Sequence, residues 1–413
     1  MNKVILHCDL NCYYASVEML YNPKLRNVPI AVAGDPLNRH GIILTKNVLA
    51  KKCGVKTAEP IWQAKKKCPN LIVIEPHYDD YIYFSKKVKD LYYEYTDRIE
   101  SFGLDEAWLD ITESIKYFGS VETIVKEILR RVKEEIGLTL SIGISFNKIY
   151  AKMGSDIAKE DSYFKIDKPE DVFNYPASNL LLVGNHVDRK LKEYAIYTIG
   201  DIAHTNVKYM KAILGKMGET LYYFSWGHDL SEVKKYTDDY ETVKSIGNST
   251  TTKRDLYDMD DIKTVLRVLS DSVASRCKDS GLYFKTVHLN IRNKNLECRT
   301  IQETLKENSD LSKDIYETAI RLFNKNCNFR IPYRSIGVAV SKLSFKKEDS
   351  FIDLFENDLY SIKDKKVEEA LEKIRKRFGY HSVASLRLLT DTDLSSFDPK
   401  SENTVSPISY FKN

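Results

Sequence analysis

No stretch of this sequence approaches the ~18 consecutive apolar residues of a membrane-spanning helix. The first apolar run starts at Val4 with no leader ahead of it, so the expectation is a cytoplasmic chain with no membrane association. No CxxC pair occurs among the seven cysteines (8, 12, 53, 68, 277, 298, 327), and their number is odd. That argues against a disulfide framework and a Cys-rich zinc site, and for a reduced compartment. Net charge is also scarce. Lys+Arg number 63 against 59 Asp+Glu, a formal +4, too mild to identify a polyanionic partner. No internal repeat is visible. What is present is 413 residues, 43% hydrophobic and 30% charged, enough for about two to four soluble domains with cores.

The charge is unevenly placed. Residues 244–345 hold 18 Lys/Arg against 12 Asp/Glu, a net +6 that leaves −2 for the rest of the chain. A basic module on a slightly acidic body is a footprint for a polyanion, although an ordinary basic domain would look the same.

Hydrophobic patterning supplies the elements. Val4–Leu10, Val28–Gly34, Gly41–Leu44, Leu71–Ile74 and Thr139–Ser145 read as strands, and residues 98–102 with 106–111 as a hairpin. Helices are expected at 46–53, 60–67, 78–96, 121–136 and 148–157. Strands in hairpin order among helices imply an α+β sheet with helices on one face. Short helices follow to about Trp226, and the polar stretch 231–241 reads as a linker. Residues 244–345 read strand, helix, two strands, helix, strand, a βαββαβ unit. Beyond it, Val367, Ala370, Leu371, Ile374 and Phe378 line one face of a helix stopped by Gly379.

Asp9 ends the first strand, and Asp105-Glu106 sits at the hairpin turn. Carboxylates among apolar strands are costly to bury unless something positive meets them. If the strands are neighbours, all three converge, and hard oxygen donors of that kind suit Mg²⁺ or Mn²⁺. An acidic turn in water is the bland alternative.

The surrounding motifs decide between them. Asp9-Leu10-Asn11-Cys12-Tyr13-Tyr14-Ala15-Ser16-Val17-Glu18 and Ser101-Phe102-Gly103-Leu104-Asp105-Glu106 resemble the two catalytic motifs of the Y-family (translesion) DNA polymerases, most closely the bacterial DNA polymerase IV branch. So do Gly54–Pro60, Gly143–Lys148 with Ala151-Lys152 through Ala158-Lys159, and Lys244–Thr250. The resemblance covers residues 1–345 at least.

It implies an α+β multidomain fold, a right-hand polymerase. The palm would be residues 1–10 and 77–166, with small fingers at 11–76 and a helical thumb at 167–233. A linker would span 234–243, a βαββαβ little finger 244–345 and a tail 346–413. Asp9, Asp105, Glu106 and the carbonyl of Leu10 would hold two Mg²⁺, with Mn²⁺ able to substitute. The reaction would be addition of deoxynucleotides from deoxynucleoside triphosphates to a primer 3′-hydroxyl. Low fidelity, low processivity and a role in damage tolerance go with the family. Tyr14 falls on the steric-gate position that excludes ribonucleotides, and Tyr13, Thr45, Lys51 and Lys159 on nucleotide contacts.

Departures from the family pattern are specific. Val48 and Lys51 stand where the family usually has Tyr and Arg, which implies weaker triphosphate binding. The thumb's Gly-x-Gly is degraded to Gly184-Asn185-His186. Gly184, Lys285, Arg292, Arg299, Arg330 and Arg334 are expected to contact primer–template DNA, with Lys294 and His288 on the same strands. Phe351, Leu354 and Phe355 lie in a peptide resembling the sliding-clamp-binding type, and Ile408–Phe411 is a weaker version. The expected state is monomeric. The alternatives are a polymerase-like protein, weak or inactive, that only binds DNA or clamp, and a nucleotide cyclase, whose carboxylates follow the same two-metal logic.

Overall fold

The computed structural model describes residues 3–34, 41–236, 243–345 and 358–397. Its contacts divide them into two compact units, the first ending at 236 among the described residues and the second starting at 243. The peptide with Phe351, Leu354 and Phe355, and that at 408–411, lie outside the described residues.

Among its described residues the first unit has eight strands: β1 (Ile5–Leu10), β2 (Ile30–Ala33), β3 (Ile43–Lys46), β4 (Ile72–Ile74), β5 (Ile99–Ser101), β6 (Glu106–Asp110), β7 (Leu140–Ser145) and β8 (Ser162–Lys165). Five of them form a sheet in the order β5-β6-β1-β7-β8, antiparallel except for β7 with β8. The alternation of β1 sorts its side chains between two faces. Leu6, Cys8 and Leu10 enter a core with Val88, Leu91 and Tyr92 of the helix Tyr78–Tyr93 and Ile124, Val125 and Ile128 of the helix Val121–Arg131.

His7 and Asp9 face the other way and meet a third helix, Lys148–Ile157. Helices therefore cover both faces, where one covered face was expected. Two glycines permit it. A Cβ on Gly143 of β7 would sit 1.8 Å from the Ala151 carbonyl oxygen, and one on Gly154 would sit 2.9 Å from the Gly143 Cα. Backbone lies on backbone there, an approach open only to glycine.

The remaining three strands make a small sheet, β3-β2-β4, with its own core of Ala31, Ile43, Ala50, Val55, Ile61 and Leu71. A further core joins Ile149, Tyr150 and Met153 to the short helices between Asn185 and Ser225. The start of the expected linker is not free. Val233 is buried beside Ile5 and Trp108, Lys234 N–H donates to Glu100 and Tyr236 N–H to the Asp97 carbonyl.

In the second unit, β9 (Ser245–Leu256), β10 (Phe284–Asn293), β11 (Cys298–Ser309) and β12 (Tyr333–Ser341) form an antiparallel sheet in the order β11-β10-β12-β9. Helices Met259–Asp279 and Ser312–Asn326 pack on one face over Val287, Leu289, Ile291, Ile336 and Val338. The βαββαβ expectation describes this unit. The tail was expected as a separate module, yet it completes this fold: Leu394 is part of the same core, and Leu388 is buried.

The tail helix Asp358–Phe378 leaves much of its apolar stripe in solvent. Val367, Ile374 and Phe378 of its apolar face are 50%, 38% and 66% exposed. Its charged face makes the contacts instead. Glu368 pairs with Lys278, Arg375 with Asp271 and Lys376 with Asp279.

Candidate active site

Strand pairing builds the site first. Asp9 of β1 lies opposite Glu106 of β6, and directly opposed residues project from the same face of a sheet. Leu10 N–H donates to the Asp105 carbonyl at 3.0 Å, which ties the hairpin turn to the strand end. The turn needs Gly103 at φ +99, and Asp105 Oδ1 folds back above it. Beneath the turn, the helix Tyr78–Tyr93 supplies Ser85, whose hydroxyl donates to the Leu104 carbonyl. Lys89 Nζ donates to Gly103 O at 3.0 Å and to Ser85 Oγ at 3.1 Å.

Burial and like charge act on these carboxyls in different degrees. Asp9 is pushed up to about 8, by burial and then by the charges of Glu106 and Asp105. Asp105 rises to about 6 from burial and Glu106. Glu106 is the exception. Burial would raise it, but the adjacent His7 ring and the nearby Lys152 ammonium hold it below the usual range. Lys152 Nζ is 2.7 Å from Glu106 Oε2, and His7 Nε2 approaches the same oxygen at 3.2 Å, off line for a well-formed hydrogen bond. Ser155 Oγ lies 2.7 Å from His7 Nδ1 and 2.8 Å from the Lys152 carbonyl oxygen. Among the described residues, no three His, Cys, Asp or Glu side chains stand close enough together to enclose a metal. The donor set nonetheless fits one. It is rich in oxygen and short of positive charge, and an ammonium already rests on one carboxylate.

The aromatic pair after β1 separates into two roles. Tyr13 is 2% exposed and gives its hydroxyl to the Tyr81 carbonyl, so its side chain is a core group, a correction to its expected nucleotide contact. Tyr14 is half-buried and stacks on Tyr81 at 4.3 Å with planes 10° apart, while Tyr78 meets its edge. Both tyrosines start the helix Tyr13–Tyr21, whose N-cap Cys12 has φ +49 and makes no side-chain cap. A left-handed non-glycine residue is costly, of order 1–3 kcal/mol, and such strain gathers at functional turns. Asn11 stabilises it, donating to Ser141 Oγ and accepting from Asp161 N–H.

Across the small sheet, Thr45 lies half-buried in β3, with Val48 and Lys51 exposed on the short helix after it. Asn47 caps that helix and also bonds Ile30 N–H and the Val28 carbonyl. Lys159 is exposed beyond the helix Lys148–Ile157, and its carbonyl accepts from Ser162 Oγ. Gly184 is the N-cap of the helix Asn185–Glu193 and leaves its first N–H groups without a side-chain cap.

In the second unit the expected DNA-binding residues divide. Arg292 is exposed, on the sheet face away from the helices, where it shares β10 with His288 and Asn290. Arg330 is exposed in a loop, and Lys285 and Arg334 sit half-buried where the strand register shifts. Arg299 is misplaced by the expectation. It pairs with Ile291, so it points to the helix side, and its guanidinium donates to the Asn326 carbonyl at 2.7 Å. It caps a helix C-terminus, a favourable place for a cation.

Sequence reasoning missed Lys89, His7 and Ser155. A lysine on the apolar face of a helix, four residues after a serine, was the available signal for the first.

Known proteins show which family the chain resembles. Residues 8–156 match the model of the impB/mucB/samB family and residues 243–352 that of its C-terminal domain. DNA polymerase IV of Acetivibrio thermocellus is 42% identical over 96% of this chain and 100% of its own length. The chain belongs to the DNA polymerase IV family. DNA polymerase IV 1 of Bacillus subtilis is 35% identical over 92% of the chain and 91% of its own length. A Y-family DNA polymerase chimera has the same fold, with a TM-score of 0.72 at 22% identity, covering 83% of this chain and all of its own. A DNA polymerase IV family member is thus a mixed α/β, multidomain, DNA-directed DNA polymerase, and no described helix here is long and apolar enough to cross a membrane.

Proposed function

We propose that this chain extends a primer on a DNA template by two-metal phosphoryl transfer, with Asp9, Asp105, Glu106 and the Leu10 carbonyl as the metal-binding groups. The observation that carries the reading is the β1–β6 register, which sets Asp9 opposite Glu106 beside Asp105 in partly buried surroundings. Mg²⁺ bound there would neutralise the carboxylates and stabilise both the attacking and the leaving oxygen. The protein's own share is positioning. Ser85 and Lys89 fix the turn that carries Asp105, and His7 steadies Glu106. Tyr14, held flat by Tyr81, would meet the sugar of an incoming nucleotide and exclude a 2′-hydroxyl.

The uncapped N–H groups of the helix Tyr13–Tyr21 favour an anion, as would Thr45, Lys51 and Lys159 around a triphosphate. Gly184's helix end supports a contact to a DNA phosphate, and Arg292, Arg330, Arg334 and Lys285 support tracking of the template backbone. With this reading go the palm, fingers, thumb and little finger at the boundaries given above, translesion use, and a monomer that would reach a sliding clamp through Phe351, Leu354 and Phe355, on the likeness of that peptide to the clamp-binding type.

Primer extension with Mg²⁺ tests the core of this. Asp105→Ala is expected to lower the rate about 100-fold or more, equivalent to about 2.7 kcal/mol of barrier. Equal rates for both proteins would remove the site, and no extension by either would leave a DNA-binding protein. Tyr14→Ala is expected to raise ribonucleotide insertion relative to deoxyribonucleotide.

A further inference from the structure

The helix Lys148–Ile157 carries Lys152 and, one turn later, Asp156. Lys152 Nζ lies 2.7 Å from Glu106 Oε2 and 3.8 Å from Asp156 Oδ1. Lys152 and Glu106 are largely buried, their side chains 14% and 20% exposed, whereas Asp156 is 44% exposed. The ammonium is also 5.6 Å above the Phe102 ring, in the arm of the hairpin that leads to Asp105. Because Gly143 and Gly154 press the helix backbone onto β7, the helix itself has no room to shift toward the sheet. Only the flexible four-carbon side chain can move the charge.

Glu106 Oε2 thus has two nitrogen neighbours, Lys152 and His7, in a site where, among the described residues, the other two carboxyls lack such a partner at this range. An ammonium on a carboxylate that must also bind a divalent cation is a competitor for it. The second acidic group, one helical turn away, offers the ammonium somewhere to go.

We propose that Lys152 is the resident counter-ion of the carboxylate site. It neutralises Glu106 while no divalent cation is bound, and passes to Asp156 when Glu106 turns to a cation. The inference rests on Asp9, Asp105 and Glu106 being the metal-binding carboxylates. Its consequence is a set point: Lys152 lowers the affinity of the free enzyme for metal and lessens the charge repulsion in the empty site.

Mn²⁺ alone, without DNA or nucleotide, is the probe, with free Mn²⁺ measured by electron paramagnetic resonance. Lys152→Met is expected to bind Mn²⁺ about 10-fold more tightly than the parent, because a charge pair of this burial is worth a factor of that order. Lys152→Arg retains the parent affinity. The decisive comparison is a double-mutant cycle. In a Glu106→Gln background the ammonium has lost its carboxylate partner, and Lys152→Met should change affinity by less than about 2-fold. An equal gain in both backgrounds would reduce Lys152 to a general electrostatic influence and overturn the proposal. So would the absence of a gain in the parent background. Lys152→Gln repeats the measurement if methionine disturbs the helix. Asp9→Asn with Asp105→Asn separates the two levels: unchanged Mn²⁺ binding there would overturn the metal site itself.

Discussion

Lys89 is 2% exposed, and the Gly103 carbonyl it satisfies belongs to the turn that carries Asp105. Replacing it with methionine keeps the volume but leaves that carbonyl unpaired, at a cost of about 1–3 kcal/mol. Lys89→Met is therefore expected to lower the unfolding free energy by that amount and to slow primer extension more than it raises KM for the nucleotide. Denaturant titration alongside steady-state kinetics checks both. Val48 and Lys51 belong to this scale too. Val48 is 37% exposed and Lys51 exposed, so larger side chains there meet solvent before they meet core. Val48→Tyr with Lys51→Arg restores a hydroxyl donor and a two-pronged cation, and KM for the incoming nucleotide should fall several-fold, a change of about 1 kcal/mol or less.

Helix Ser312–Asn326 begins after Leu311, which has no capping side chain. The cap comes from the tail. Glu368 accepts from Ser312 N–H, Lys313 N–H and Ser312 Oγ while pairing with Lys278 at 2.5 Å. Burial raises the Glu368 carboxyl, but Lys278 and these donors outweigh it and hold it below the usual range. A folded value below the unfolded one stabilises fully above about pH 4.3 and is lost as pH falls through the folded value. Asp314 nearby is raised and acts in the opposite sense, so the difference between two proteins is the clean measure. Amide exchange of the tail helix should rise below about pH 4.3 in the parent. Glu368→Gln should show faster exchange at neutral pH and little further change on acidification. This element was only half legible. Its helical period predicted a helix, but the period does not say which face docks, and three ion pairs and a borrowed cap decide that.

For the whole molecule, the small net charge of +4 conceals a division between a basic segment at 244–345 and a slightly acidic remainder. Non-specific binding to phosphate is expected to weaken steeply with salt, the slope falling by about 0.9 for each phosphate contact removed. Arg292→Ala should reduce that slope by about one contact. Arg299→Ala should leave it unchanged and lower stability by about 1 kcal/mol instead, since it caps the helix ending at Asn326. Fluorescence anisotropy of a labelled primer–template across a salt series distinguishes the two. From the sequence the two arginines look alike. The β10–β11 register alone sends one to each face.

Order along the chain determined much on its own. Alternation and periodicity located most strands and helices, the βαββαβ segment followed from their order, and the motifs around Asp9 and Asp105-Glu106 pointed to the polymerase family to which the chain belongs. These are local signals, and local spacing is what a sequence records. Tertiary structure decided what depends on partners distant in the chain. It paired Asp9 with Glu106, set Lys152 on that carboxylate, buried Tyr13 while leaving Tyr14 at the site, and brought Glu368 to a helix 56 residues away. Each outcome turns on which groups share a face or a buried volume, and the energy of a charge or hydrogen bond is set there by its neighbours in space.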